Sequence, residues 1–202
     1  HGDLWHGNPE KFNPNDVKLE LHEITYENVS KKPQRIEILT ATPLYGRSAD
    51  NLRDHRHVTS LLNRVLVEDQ MVIVNPTLSF DERGHKTNET KYAFMSNSEQ
   101  LEVEAYYPIL DDFIGTGTLT YPKPQKPVLV KDQVDGYEAI GGIKYKVITL
   151  EPNQTVTFYM ALGANDDLDT LRTYKNLLNQ HDFNERLKQS QNYWANEVNK
   201  LE

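Results

Sequence analysis

The sequence predicts a mainly β protein, an antiparallel sandwich with two helices at its C-terminal end. Two observations carry this. Short segments rich in β-branched and aromatic residues recur roughly every 8 to 12 residues, separated by turn formers, from Val17 to Met160. From Asn165 the apolar residues change to helical spacing, with Leu168, Leu171, Tyr174, Leu177 and Leu178 three or four apart.

Val17, Leu19 and Leu21 alternate with Lys18, Glu20 and His22, and Ile24 and Tyr26 follow after a phase slip. This reads as a half-buried strand with a bulge. Asn28 to Pro33 closes it with turn chemistry, and Gln34–Leu44 alternates again, so loop length predicts a hairpin of the two. Arg64–Glu68, Met71–Leu78, Lys91–Ser96 and Leu101–Tyr107 read as further strands. Asp111 to Asp135 holds three prolines and three lysines without ladder periodicity and reads as a long surface loop. Gly141-Gly142 is a bend before a strand from Ile143. Glu151 to Gln154 then turns the chain into a return strand through Val156, Phe158 and Met160, the clearest hairpin signal in the sequence. A first helix spans Leu168–Leu178, and a second runs from about Asn184 through Tyr193, Trp194 and Val198 to the end. That second helix lacks a C-cap, Gly or Pro, and its apolar face predicts a partner beyond this chain. The expected division is a sandwich over 1–164 and a helical linker over 165–202.

A chain of 202 residues can bury a real core without staples. Its net charge of -8, with acidic and basic residues interspersed, offers no basic stripe for nucleic acid. No apolar run approaches the roughly 20 residues of a membrane-spanning helix. Zero cysteines leave no thiolate nucleophile and lean towards a reducing compartment, so a cytoplasmic location is expected. Three sequons, at Asn28, Asn88 and Asn153, read as products of an Asn- and Thr-rich composition.

The densest polar run is Arg47-Ser48-Ala49-Asp50-Asn51-Leu52-Arg53-Asp54-His55-Arg56-His57, with one large apolar residue among eleven. Ser48 can cap a short helical turn there. Two readings stand: a polar network anchoring a loop, which is favoured, and a metal site needing a third ligand from Asp54 or Glu82. No metal is assigned. Arg47, Asn51, Arg53, His55, Arg56 and His57 are the candidate substrate-binding residues, since forked guanidinium donors suit a phosphate or sugar hydroxyls. A second cluster, Phe80-Asp81-Glu82-Arg83-Gly84-His85, reads as a strand and a turn with positive φ at Gly84. Asp81/Glu82 and Asp111/Asp112 are adjacent pairs that cannot flank one glycosidic bond from a strand. No catalytic residue is assigned.

The run Pro43 to Leu62, with Pro76-Thr77-Leu78-Ser79-Phe80-Asp81-Glu82-Arg83-Gly84-His85, resembles the N-terminal domain of inverting glycan phosphorylases of glycoside hydrolase family 94. Within that family it is most similar to the 1,2-β-oligoglucan phosphorylases. Asp112-Phe113-Ile114-Gly115 is similar to the family's Phe-(Leu/Ile)-Gly step, and Tyr193-Trp194 resembles the linker into its catalytic barrel. The resemblance implies a β super-sandwich of galactose mutarotase-like shape, followed by linker helices and an (α/α)6 barrel that carries the catalysis. It implies no cofactor, inorganic phosphate as co-substrate of the parent enzyme, a β-glucan oligosaccharide substrate, and a homodimer. A free-standing mutarotase-like epimerase, using His55, His57 and Glu82, and a carbohydrate-binding module, using Tyr106-Tyr107 and Trp5, are the alternatives.

Overall fold

The structure is a computed structural model that describes residues 5–45, 60–81 and 84–200. Its strands in chain order begin with β1 (Trp5–Phe12), β2 (Leu19–Asn28), β3 (Gln34–Ile36), β4 (Pro43–Leu44), β5 (Asn63–Glu68), β6 (Met71–Pro76), β7 (Leu78–Asp81) and β8 (Gly84–Thr87). They continue with β9 (Lys91–Asn97), β10 (Val103–Tyr106), β11 (Gln133–Asp135), β12 (Ala139–Ile140), β13 (Ile143–Tyr145), β14 (Ile148–Leu150) and β15 (Thr155–Asn165). The helices are α1 (Leu110–Ile114), α2 (Leu168–Tyr174) and α3 (Gln180–Asn199), with a 3-10 turn at Lys175–Leu177.

Seven strands form one antiparallel sheet in the order β1-β2-β15-β9-β6-β5-β11. Short ladders β3-β14, β4-β12 and β10-β13 make a second layer against one side. The core between the layers joins Val65, Val72, Val74, Phe94, Val156 and Phe158 of the sheet to Leu44, Ile143, Tyr145 and Leu150 of the second layer. The other side of the sheet is covered by the helices, where Leu171, Leu178 and Phe183 pack on Leu21, Met71, Ile73, Met95 and Ala161. Each of those three side chains is at most 1% exposed, and such burial contributes about 2 kcal/mol per residue to holding the helices down.

The mainly β architecture with C-terminal helices is as expected, and several local readings are corrected. The phase slip in β2 is not a bulge, because its register with β1 and β15 is unbroken. Instead Leu19 and Leu21 point to the helices while Ile24 and Tyr26 point to the second layer. The predicted hairpin of β2 with the next strand does not form: β2 pairs with β1 and β15, and β3 crosses to pair with β14. Likewise β14 and β15 flank a real turn, with Asn153 at φ 63°, yet do not pair with each other. Both turns carry the chain between layers. The Asp111–Asp135 region is not wholly loop, because α1 buries Leu110 and Phe113 at its start and β11 pairs with β5 at its end. β1 went unread because Gly7, Asn8 and Pro9 break its pattern; as an edge strand it tolerates the proline. The first helix ends early at Tyr174, and α3 starts at Gln180 because Asn179 caps it, its Oδ1 accepting from the Asp182 N–H at 3.0 Å. Asp167 caps α2 in the same way. Among the described residues no helix is long and apolar enough to cross a membrane.

Candidate functional site

Arg47, Asn51, Arg53, His55, Arg56 and His57 lie outside the described residues, as do Ser48, Asp54 and Glu82. The frame that holds both ends of their segment is described. On one side Leu44 pairs with Ala139, and on the other Arg64 pairs with Asp135, so the strands flanking the segment pair with residues only four apart in the chain. The buried Asn63 amide donates to the Tyr137 carbonyl at 3.0 Å, and Gly136 N–H donates back to the Asn63 carbonyl at 2.9 Å. Arg64 reaches Asp135 at 3.6 Å and the Leu61 and Asn63 carbonyls. Around these roots Tyr45, Leu61 and Tyr137 are each more than half exposed.

Beneath Tyr45 a cleft of 430 Å³ opens at the edge of both layers, with Asn13, Lys18, Glu20 and Tyr92 on its walls. Gly163 makes room for the packing here, since a Cβ on it would fall 2.6 Å from Leu19 Cδ2. Glu20 is held by His22 Nε2 at 2.7 Å. Two tyrosines with a few convergent polar groups in a concave site of this size form a binding geometry. The epimerase candidates His55, His57 and Glu82 lie outside the described residues.

Other sequence candidates resolve plainly. Tyr106 and Tyr107 are 6% and 9% exposed, so neither can be a sugar platform. The Tyr106 hydroxyl accepts from Gln70 N–H at 2.7 Å, and burial raises its pKa. Asp112 pairs with Lys126 at 3.2 Å beside the solvent-exposed Asp111. Gly84 has φ 115° and closes the β7-β8 hairpin as expected. Asn28 is fully buried, and both of its amide hydrogens are used, to Lys32 and Leu150 carbonyls. The Asn88 amide is used in the same way, to Pro76 and Thr90 carbonyls. Sequence reasoning missed the Tyr45/Tyr92 cleft; the usable signal was a tyrosine directly preceding the basic run.

Comparison with known proteins adds the following. The family profile for the glycosyl hydrolase 94 supersandwich domain matches residues 8–180. No curated protein sequence matches the chain. A solved polysaccharide lyase aligns with TM-score 0.45 and 9% identity, covering 87% of this chain and 22% of the lyase, so the chain spans about a fifth of that protein's length.

Proposed function

Because the chain belongs to the glycosyl hydrolase 94 supersandwich family, a non-catalytic N-terminal domain of family 94 enzymes, we propose that its parent is an inverting phosphorylase of β-1,2-linked or related β-glucan oligosaccharides. The observation that carries this is the match over 8–180, which takes in both layers of the sandwich and α2.

In that reaction inorganic phosphate attacks the anomeric carbon, the glycosidic C–O bond breaks with inversion, and the departing sugar oxygen takes a proton. The products are a sugar 1-phosphate and a shortened glucan. The acid and the phosphate site belong to an (α/α)6 barrel of the same polypeptide, with no cofactor, in a cytoplasmic homodimer. The sandwich contributes support and one substrate-facing segment. Arg47, Arg53 and Arg56 offer forked donors, and Asn51, His55 and His57 add single hydrogen bonds, a set suited to phosphate oxygens or sugar hydroxyls. Asp135 and Ala139 pair with the described strands on either side of that segment.

The test is steady-state kinetics of the full-length enzyme carrying Arg53→Ala or His57→Ala. The expected result is KM for phosphate or oligosaccharide raised about tenfold, the loss of one charge-assisted hydrogen bond. Unchanged KM in both variants removes the substrate role. A second reading, a carbohydrate-binding module, is favoured by the Tyr45/Tyr92 cleft; calorimetric titration of the chain and its Tyr92→Ala variant with β-glucan oligosaccharides decides it. An epimerase would instead speed the change in optical rotation of freshly dissolved glucose.

A further inference from the structure

Helices α2 and α3 cover only part of their side of the sheet. Along β2 this side runs Leu19, Leu21, Glu23, Thr25, and opposite on β15 it runs Gly163, Ala161, Tyr159, Thr157. The first two rungs are apolar and lie under the helices, as does the ring of Tyr159 in the third, 5.7 Å from that of Phe183. The next two are polar, and there the chain leaves a notch of 420 Å³, closed by Glu99 and Gln100 after β9 and by Gln180 at the start of α3.

The groups in the notch are positioned, and they are mostly acceptors. Tyr159, 6% exposed, donates its hydroxyl to Glu23 Oε2 at 2.8 Å, fixing the carboxylate. Burial, then the adjacent carboxylate, holds that phenol well above its ordinary pKa, so it stays a donor. A carboxylate has about four acceptor sites, so most of those on Glu23 remain open. Thr25 and Thr157 bond each other at 2.8 Å, which leaves one hydroxyl hydrogen to give. Glu10 sits directly opposite Glu23 across the β1-β2 ladder, an unfavourable like-charge pair. Among the described residues no Lys or Arg pairs with Glu10, Glu23 or Glu99. Glu10 is exposed and lies outside the notch, whose own carboxylates are Glu23 and Glu99.

The carboxylates exclude an anionic ligand. They also do not converge as metal ligands, since the one close set among the described residues is His181, Asp182 and Glu185 on the exposed side of α3. A notch of this volume that sets carboxylate acceptors beside threonine hydroxyls and glutamine amides is complemented by a molecule with many hydroxyls, which both donate and accept. We propose that this notch binds a short stretch of oligosaccharide, with Glu23 and Glu99 accepting hydrogen bonds from its hydroxyls. The site shares no residue with the 46–59 segment, and the proposal does not rest on phosphorolysis.

The experiment is NMR and calorimetric titration of the 202-residue chain with β-1,2-linked and β-1,4-linked glucotriose in the presence of EDTA. Expected are saturable shifts at the Thr25, Thr157 and Gln180 amides. Affinity falls about tenfold in Glu23→Gln and Tyr159→Phe, the loss of one hydrogen bond involving a charged group. Glu23→Gln keeps a side-chain carbonyl to accept from the Tyr159 hydroxyl, and its Tm, measured alongside, separates lost binding from unfolding. No saturable binding with either sugar, affinity unchanged in Glu23→Gln, or binding that needs added calcium overturns the proposal. Phosphorolysis by the full-length enzyme is measured independently, so either result can fail alone.

Discussion

Replacing Asn28 tests how the two layers are joined. Its side chain makes four hydrogen bonds where β2 leaves the sheet: Nδ2 donates to the Lys32 and Leu150 carbonyls at 2.9 and 2.8 Å, and Oδ1 accepts from the Ser30 N–H and hydroxyl at 3.0 and 2.7 Å. Asn28→Ala removes all four. Lys32 and Ser30 are accessible to water and recover partners, so their loss is small. Leu150 is 3% exposed, and its carbonyl loses a partner in a place water does not reach. One under-satisfied buried carbonyl together with three partly recovered bonds costs about 3 kcal/mol. At this chain length that lowers Tm by about 6–12 °C. Asn28→Asp keeps the Ser30 bonds but turns an acceptor towards two carbonyls, so near neutral pH it is worse than Ala. Because its carboxyl is protonated more readily in the folded state than in the unfolded one, it recovers stability as pH falls. Urea unfolding followed by near-UV circular dichroism measures both. A loss below about 1 kcal/mol for Ala, or an Asp variant equal to Ala from pH 4 to pH 8, refutes the reasoning.

Burial, opposed by the 2.5 Å bond to Ser96, pushes the Tyr145 phenol from 10.0 up to about 12. Between those values the folded chain holds a proton that the unfolded chain has lost, so stability falls as pH rises, by at most about 1.4 kcal/mol per pH unit. Tyr145→Phe is expected to flatten the slope of the urea midpoint between pH 10 and 11.5, and an unchanged slope would count against the assignment. A Cβ on Gly142 falls 2.4 Å from the Tyr107 carbonyl oxygen and 2.8 Å from the Phe113 ring, against backbone and a fully buried side chain. Gly142→Ala is therefore expected to cost about 3 kcal/mol in the same urea assay, and a cost within error of zero would show that α1 is free to shift.

Apart from β1 and the short β8, β11 and β12, the strands were legible because each carries its own burial pattern, and the pairings were not, because pairing here is settled by distant residues. The turn after Asn28 has hairpin length and hairpin chemistry, yet what it delivers is β3 to β14, more than a hundred residues on. No local signal distinguishes a turn within a sheet from one between layers. The proline-rich stretch hid α1 because Leu110 and Phe113 are only two apolar contacts in a short turn, too few to show a period. The start of α3 was readable from Asn179 followed by Asp182 and Phe183, a cap signal overlooked beside the stronger leucines. The arginine- and histidine-rich segment stood out by composition, and the Glu23 notch did not, because Glu23, Thr25, Thr157 and Tyr159 meet only across β2 and β15.

The break in alternation within β2 does mark that notch. A strand whose two sides were covered along their whole length would be apolar throughout, and a strand covered on one side would alternate without slipping. β2 does neither. Its apolar residues face the helices at Leu19 and Leu21 and face the second layer at Ile24 and Tyr26. On β2 the change of side falls between Leu21 and Glu23, whereas on β15 the helix-facing cluster still takes in Tyr159, whose ring lies 5.7 Å from that of Phe183. A polar residue on the uncovered side beyond that point has no packing to satisfy. Glu23 is there with a buried tyrosine aimed at its carboxylate and Glu10 repelling it from the next strand. Packing explains why the position is polar, but it does not explain why a buried hydroxyl is spent on holding that carboxylate in place, and the proposed notch uses a carboxylate so held.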